Sequence, residues 1–190
     1  PGLLGKKRLS GFVFDGYWED IGTVGSFWEC NLTLTDPVPP FDFFDSENRV
    51  FTHARYLPTA KVNACRANRV LMAGGAIVDE SELTRSVIGV RSVVRRGSHF
   101  ENVVMMGADL FERPKDLQLN RQLGRPDIGV GENCYIRNAI IDKNARIGAG
   151  CRIAPTGLPE KWETESLYVR DGVIVVKKGA VVPAGTIVGE

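Results

Sequence analysis

The sequence predicts a mainly β protein whose larger part, residues 65–190, is a left-handed parallel β-helix. The main observation is that aliphatic side chains recur every six residues over most of that range. A period of six fits neither an amphipathic helix nor a hairpin array, but it is typical of a triangular solenoid with coils of about 18 residues. The repeating positions are Leu71, Ile77, Leu83, Ile88, Val94, Phe100, Met106, Val130, Ile136, Ile141, Ile147, Ile153, Val176, Val182 and Val188.

A second observation is that a small side chain follows most of these positions after four residues, as Ser98 and Cys134 do. We expect the aliphatic side chains to point inward at mid-strand and the small ones to lie inward near the corners. The spacing shortens by one residue between Leu83 and Ile88 and again between Ile136 and Ile141, slips that a corner of the coil can absorb. The positions that we expect to point inward include Leu71, Ile77, Val94, Ile136, Ile147 and Val182.

Two segments interrupt the repeat and are predicted to be inserted loops. Residues 107–125 include a helical stretch at 117–123, and residues 155–171 include Trp162 between charged residues. Insertions in solenoids leave from the edges of coils and commonly carry function. We therefore expect both loops to leave from one edge of the β-helix.

The chain before the repeat has a different pattern of residues, without the six-residue period. Residues 10–36 contain a short apolar stretch, a turn rich in glycine and aromatic residues, and then a helical pattern. Thr23 or Ser26 is suited to cap that helix, because hydroxyl side chains accept hydrogen bonds from the first free N–H groups. The residues on its predicted apolar face are Phe27, Cys30 and Leu34.

Residues 37–64 are predicted to form an extended connector rich in proline. A mobile linker is normally polar, so we expect the aromatic side chains of this connector to pack on other parts of the molecule. These aromatic residues include Phe41, Phe43, Phe44 and Phe51.

Charge and composition exclude several classes of function. The formal net charge is only +1, which favours neither nucleic acid nor an anionic membrane as a partner. No apolar run approaches the roughly 20 residues that span a bilayer. The four cysteines are widely spaced, so we expect reduced thiols and a cytoplasmic protein. The chain starts without an initiator methionine, which suggests part of a longer protein.

Residue types alone give few candidates for catalysis. Hexapeptide-repeat acyltransferases commonly use a histidine base at the edge of a coil, and His99 is the candidate within the repeat. The adjacent acids Glu19 and Asp20 follow a glycine turn, so they are suited either to bind Mg²⁺ or to favour the start of a helix.

Four segments are similar to one known family. They are residues 16–23, 55–58, 105–109 and 140–148, which read GYWEDIGT, RYLP, MMGAD and IIDKNARIG. In this order they resemble the C-terminal portion of glucose-1-phosphate adenylyltransferases (ADP-glucose pyrophosphorylases), most closely the plant and cyanobacterial type. By this resemblance, residues 1–36 are the tail of an α/β nucleotidyltransferase domain.

The resemblance implies an activity for the parent protein. The family joins ATP and glucose 1-phosphate to give ADP-glucose and pyrophosphate for glycogen or starch synthesis. Asp20 matches a family aspartate that binds Mg²⁺, which neutralises phosphate charge. The family's glycine-rich nucleotide loop and its other catalytic residues lie upstream of the matched segments, so we expect this chain alone to be inactive.

The resemblance also implies regulation and assembly. Family members form tetramers and bind anionic metabolite effectors such as 3-phosphoglycerate and phosphate, so we expect a homo-oligomer. Lys143, Lys178 and Arg55 match cationic effector-site residues, and His53 replaces a family glutamine beside them. The alternative for the lysines is a solvated corner with weak surface ion pairs to Asp142, Glu165 or Asp171.

Two other functions remain open from the sequence. The β-helix is also found in acyltransferases and in purely structural or oligomerisation modules. Within the nucleotidyltransferases, guanylyl-, uridylyl- and thymidylyltransferases are alternatives, because the base is selected in a domain outside the matched segments. The GYWEDIGT segment favours a nucleotidyltransferase, since neither an acyltransferase nor a structural module needs it.

Overall fold

The computed structural model describes residues 7–8 and 10–189. Its order of elements begins with a helix, continues with strands, and includes a second helix within the first insertion. The helices are α1 (Val24–Thr33) and α2 (Pro114–Gln122), and the strands are β1 (Lys61–Asn63), β2 (Arg66–Met72), β3 (Ile77–Asp79), β4 (Glu82–Ile88), β5 (Val93–Val94), β6 (His99–Met105), β7 (Gly129–Val130), β8 (Tyr135–Ile141), β9 (Arg146–Ile147), β10 (Arg152–Ile153), β11 (Leu167–Arg170), β12 (Val173–Val176), β13 (Val181–Val182) and β14 (Ile187–Val188).

The strands wind into a parallel β-helix with three faces. The first face is the sheet β1-β3-β5-β7-β9-β13, and the long strands β2, β4, β6 and β8 bend to supply the second and third faces. Each long strand bends at one residue with left-handed backbone, such as Arg85 (φ 44) or Asn138 (φ 48). The solenoid begins at Lys61, ahead of residue 65.

The coils are shorter than six-residue periodicity predicts. Lys61 pairs with Ile77 and Gly129 pairs with Arg146 in the next coil, so one coil takes 16 or 17 residues. The predicted length was about 18 residues, from three hexads. At the corner between the second and third faces, the residue with left-handed backbone makes the turn in one residue fewer than a hexad has. The inward side chains on the two sides of that corner are therefore five residues apart, not six.

The core consists of three stacked columns of inward side chains, one from each face. Each column is nearly inaccessible to solvent, and each side chain lies over its equivalent in the neighbouring coil. This arrangement confirms the mainly β fold and the inward positions of Val94, Ile136, Ile147 and Val182. The buried members of the columns are Val78, Val94, Val130, Ile147 and Val182; Leu83, Phe100, Ile136 and Ile153; and Ile88, Met105, Ile141 and Val176.

The predicted register is wrong by one residue at three positions. Ile77 is 38% exposed, whereas its neighbour Val78 is fully buried. Leu71 pairs with Val87, whose side chain packs on the outer surface of the third face. Met105, rather than Met106, points inward. For Met106 the physical reason is the five-residue spacing at the bent corner. For Ile77 and Leu71 it is a further five-residue spacing, between the buried Val78 and Leu83, where the backbone of Glu80 is left-handed (φ 38).

The small corner residues have the predicted role. Ser98 is fully buried, and its hydroxyl donates to the carbonyl of Gly131 at 2.9 Å. Cys134 lies in the same inward column, and its thiol contacts the carbonyl of Gly148 at 3.2 Å. All four cysteines are free thiols, as expected. The side chains of Ser98 and Cys134 thus satisfy backbone carbonyls inside the corner.

Helix α1 packs on the outer surface of the third face. Thr23 is its N-cap, as predicted, and the hydroxyl of Thr23 accepts from the backbone N–H of Ser26 at 3.1 Å. Leu32 is fully buried against the strands, and the indole N–H of Trp28 donates to the carbonyl of Asn102 at 2.9 Å. The packed face differs from the predicted one, because Leu34 is the C-cap.

The two insertions leave from different corners, so the prediction of a single edge is wrong. The first, residues 106–128, lies between β6 and β7, at the corner between the third and first faces, and contains α2. The second, residues 154–172, lies between β10 and β12, at the corner between the second and third faces. It ends in β11, which pairs antiparallel with β12 and covers the last edge of the third face.

A buried polar network holds the first insertion. Asn120 is fully buried, and its amide nitrogen donates to Glu112 at 2.8 Å and to Asp127 at 2.9 Å. Glu112 also forms an ion pair with Arg146 of β9 at 2.8 Å. Burial opposes the charge of Glu112, but these bonds and a backbone N–H outweigh it and lower the pKa of its carboxyl group.

The connector is less well covered than expected. Phe41 and Phe43 make an edge-to-face contact, with 5.4 Å between ring centroids. Phe44 and Phe51 are 83% and 94% exposed, so the expected packing does not occur for them within the described chain. None of the helices described is long and apolar enough to cross a membrane.

Candidate functional site

The candidate site lies at the corner between the third and first faces, which we call the lysine corner. Backbone hydrogen bonds link successive turns there, for example from Gly179 to Lys143 at 2.9 Å and from Asn144 to Gly107 at 3.0 Å. These bonds stack the turns in a ladder along the solenoid. From the first coil to the last, the turns of the lysine corner are residues 57–58, 74–75, 90–91, 107–109, 143–144 and 178–179.

Two predicted effector-site lysines occupy neighbouring rungs of this ladder. Lys143 and Lys178 come directly before Asn144 and Gly179, which hold equivalent left-handed positions in consecutive turns. Such rungs lie about 4.8 Å apart. The structure therefore brings both lysines to the same corner, although the second insertion separates them in the sequence.

The two lysines differ in their partners. Lys143 forms an ion pair with Asp109, with 3.2 Å between Nζ and Oδ1. Lys178 is exposed and forms no ion pair or hydrogen bond through its side chain within residues 10–189. The preceding Lys177 is already engaged, because its Nζ donates to Glu163 at 3.0 Å and to the Thr164 carbonyl at 2.8 Å.

Asp109 is a residue of the candidate site that the sequence did not predict. Its Oδ2 accepts from the amide of Asn144 at 2.7 Å, and its backbone N–H donates to Asn144 Oδ1 at 2.9 Å. The hydrogen bond from Asn144, then that from Lys143, and the charge of Lys178 lower the pKa of the Asp109 carboxyl group. The only feature of the sequence that points to Asp109 is its place in the MMGAD segment, at the start of the first insertion.

None of the three carboxylates that the alternative pairs with Lys143 or Lys178 forms an ion pair with them in the described chain. Asp142 accepts the backbone N–H of Lys143 at 2.6 Å, and Asp171 accepts that of Gly25 at the start of α1, at 3.0 Å. Glu165 is exposed and forms no ion pair within the described ranges. The carboxylate that balances the lysine corner is therefore Asp109.

Arg55 and His53 are not brought to the lysines. The turn that follows Arg55, at Pro58, bonds to Gly75 in the first coil. That turn lies four steps along the ladder from the turn at Lys143. At the spacing of paired strands, this is a distance of about 19 Å between the two turns. The guanidinium of Arg55 contacts the carbonyl of His53 at 3.3 Å, and both side chains are exposed.

Asp20 lies in the exposed segment that leads into α1. Tyr17, in the same segment, touches the thiol of Cys30 on the helix, with 3.4 Å between oxygen and sulfur. The part of the chain that is described contains no cluster of three or more histidine, cysteine or acidic residues suited to a metal. Magnesium often takes only one or two protein carboxylates plus phosphates, so Asp20 fits as one such ligand.

A cavity of about 380 Å³ lies between the end of this segment and the third face, beside the lysine corner. Ile21 and Thr23 line it on one side, and Met106, Ile140 and Asp142 line it on the other. Asp142 lines this cavity and directly precedes Lys143 in the chain, so it lies next to both the start of α1 and the lysine corner. The cavity is mainly apolar, which suits packing more than ligand recognition.

His99 lies on the outer surface of the second face. Its Nδ1 is 3.3 Å from Glu82, and both side chains are about half exposed. Tyr135 and Arg152 line a shallow groove beside it. Half-exposed ion pairs of this kind are common on surfaces, so the geometry gives no specific support for a catalytic base.

Comparison with known families gives a match to a family of β-helix domains. The family model described as the GLGC left-handed parallel β-helix domain matches residues 55–187. The matched range covers more than half of the chain, includes every turn of the lysine corner, and agrees with the left-handed coil expected from the repeat. It begins after α1 and the segment of Asp20.

Proposed function

The chain belongs to the family of GLGC left-handed parallel β-helix domains, and we propose that it is the C-terminal portion of a glucose-1-phosphate adenylyltransferase. The match supports a nucleotidyltransferase parent, and the GYWEDIGT segment ahead of α1 agrees with it. In this proposal the parent makes ADP-glucose and pyrophosphate from ATP and glucose 1-phosphate.

In the proposed parent, Asp20 is one of the carboxylates that hold Mg²⁺. The metal supplies charge neutralisation for the phosphates when it is bound. Asp20 is three residues from the N-cap Thr23, and α1 is fixed to the third face by Leu32 and Trp28. The β-helix therefore holds the helix that directly follows the segment with Asp20.

We further propose that the lysine corner binds an anionic effector. The observation that carries this proposal is that Lys143 and Lys178 occupy neighbouring turns of the ladder, and that a single carboxylate, that of Asp109 on the turn before Lys143, is ion-paired there. A phosphate group accepts charge-assisted hydrogen bonds from two ammonium groups at this separation. The proposed site does not include Arg55 or His53, because their turn lies several rungs away.

We also propose that the parent is a homo-oligomer, with four copies by analogy to the family. Strand β13 ends the first face, and β14 pairs only with β10, so both leave edges without a partner strand within the described residues. Exposed edges favour association unless they are covered.

Titration calorimetry with inorganic phosphate and with 3-phosphoglycerate tests the effector site. We expect the double substitution Lys143→Ala and Lys178→Ala to weaken binding by about tenfold or more, because two charge-assisted contacts are lost. The matched control is Lys61→Ala, an exposed lysine in β1 at the other end of the solenoid. Equal losses in the control and the double variant would contradict a site at this corner.

The enzymatic proposal needs the complete polypeptide that contains this chain. We expect it to form ADP-glucose from ATP, glucose 1-phosphate and Mg²⁺, and to lose that activity with Asp20→Asn. The same assay with GTP, UTP and dTTP identifies a related nucleotidyltransferase, if ATP is not the substrate. Failure to use any nucleoside triphosphate would overturn the proposed parent activity.

A further inference from the structure

Asp109 is held beside the lysines by contacts that do not depend on them. Asn144 bonds to both the backbone and the carboxylate of Asp109, at 2.9 and 2.7 Å. These bonds remain available when the side chain of Lys143 moves. The carboxylate thus has a fixed position at the corner, while the flexible lysine is free to exchange its partner.

We propose that Asp109 is a built-in counter-anion that an incoming anion must displace from Lys143, and that it thereby selects dianions over monoanions. This inference rests on the proposed effector site at the lysine corner. In this role Asp109 decides which anions bind, and it does so without touching the effector.

The charges at the corner give the physical reason. Asp109 balances Lys143, and Lys178 remains without an ion pair in the described chain. When a monoanion replaces Asp109 at Lys143, the lysine only exchanges one ion pair for another. The monoanion is also repelled by the Asp109 carboxylate, which stays nearby. A phosphate dianion contacts Lys143 and Lys178 together, so its attraction to two charges outweighs that repulsion.

Other charged groups near the corner are already committed. Lys177 bonds to Glu163 and to the carbonyl of Thr164. Asp142 accepts the backbone N–H of Lys143 and lines the cavity under α1. Neither is changed by a shift of the Lys143 side chain from Asp109 to a bound anion.

The test compares binding of phosphate and of acetate to this chain at about pH 8, where phosphate is mainly dianionic. The variant is Asp109→Asn, which removes the charge and keeps an acceptor for Asn144. Asp116→Asn is the matched control, because it neutralises a carboxylate of the same insertion that pairs with Arg113. Circular dichroism establishes that each variant is folded, and Asp109→Ser provides a second neutral variant.

We expect Asp109→Asn to tighten phosphate binding by about fivefold, since an exposed ion pair no longer has to be broken. Acetate should gain more than phosphate, so the ratio of the acetate to the phosphate dissociation constant falls. The Asp116→Asn control should change neither constant by more than about 1.5-fold, within the spread expected of surface charges.

Each other result overturns the inference. If Asp109→Asn leaves the affinities for phosphate and acetate unchanged while Lys143→Ala still abolishes binding, the proposed role of Asp109 is wrong and the proposed effector site stands. Equal gains in Asp109→Asn and Asp116→Asn would show an effect of net charge alone. If neither the wild type nor Asp109→Asn binds phosphate at millimolar concentration, the proposed effector site itself fails.

Discussion

The solenoid and the segment before it differ in how they cover their apolar side chains. Ile136 is fully buried in the solenoid, whereas Trp18 and Phe51 of the preceding segment are 75% and 94% exposed. Stacked coils bury one another because each inward side chain lies over its equivalent. The preceding segment has no repeat, and in its described part α1 and the turn at Pro58 contact the solenoid. The proposed effector site therefore lies in the self-supporting region, and Asp20 lies in the region without cover.

The largest expected effect of this difference is on stability. Ile136→Ala should lower the free energy of unfolding by about 3 kcal/mol, because it leaves a cavity in a fully buried column. Phe51→Ala removes a larger side chain, yet it should change the free energy by less than about 0.5 kcal/mol. Urea unfolding followed by circular dichroism measures both. A loss of similar size for Phe51→Ala would mean that the segment is packed.

The second expected effect concerns the first insertion, which depends on the solenoid. Asn120→Ala should lower the free energy of unfolding by about 2 kcal/mol, since Glu112 and Asp127 lose a buried donor. Gln118→Ala, an exposed change in the same helix, is the control and should be nearly neutral. Amide hydrogen exchange in α2 distinguishes local release of the insertion from global unfolding.

The sequence predicts the later coils of the solenoid well and its first two poorly, for a physical reason. Val94 and Ile147 lie in hexads whose register is unbroken, so their inward positions follow from period alone. Between Val78 and Leu83 the chain turns a corner at Glu80, whose backbone is left-handed (φ 38) without glycine or asparagine to mark it. The five-residue spacing of Val78 and Leu83 is therefore hidden in the sequence, which predicts Ile77 rather than Val78 to point inward.

The third expected effect is on the pH dependence of stability. The pKa of Glu112 is lower in the folded chain than in the unfolded chain, so its contribution is present above the unfolded pKa of about 4.3 and is lost as pH falls through the folded pKa. Glu112→Gln should therefore reduce the loss of stability between about pH 7 and about pH 3. Urea unfolding at both values measures it, and an unchanged difference would contradict the role of this carboxylate.

The smallest expected effect concerns α1, the helix of the preceding segment that packs on the solenoid. Thr23→Ala should cost about 1 kcal/mol, because α1 loses its N-cap hydroxyl. The cost should appear as faster amide exchange in α1, with the exchange of β8 unchanged. Slower or unchanged exchange in α1 would mean that packing of Leu32, not the cap, decides the stability of this helix.

The candidate site was predictable only in part. Lys143 and Lys178 were found by resemblance, and the ladder places them together. Asp109 was not predicted, because its pairing with Lys143 crosses an insertion and depends on how the rungs stack. Arg55 was expected beside the lysines, but its turn belongs to the first coil. Contacts across a solenoid depend on the number of coils between residues, which the sequence gives only when the coil length is known.

The most direct test of the effector site is a phosphate titration followed by ¹⁵N–¹H correlation spectra of this chain. The account predicts saturable shifts confined to the amides of the lysine corner, namely Asp109, Lys143, Asn144, Lys178 and Gly179. Shifts centred on residues 53–58, or shifts spread evenly over exposed lysines without saturation, would contradict it.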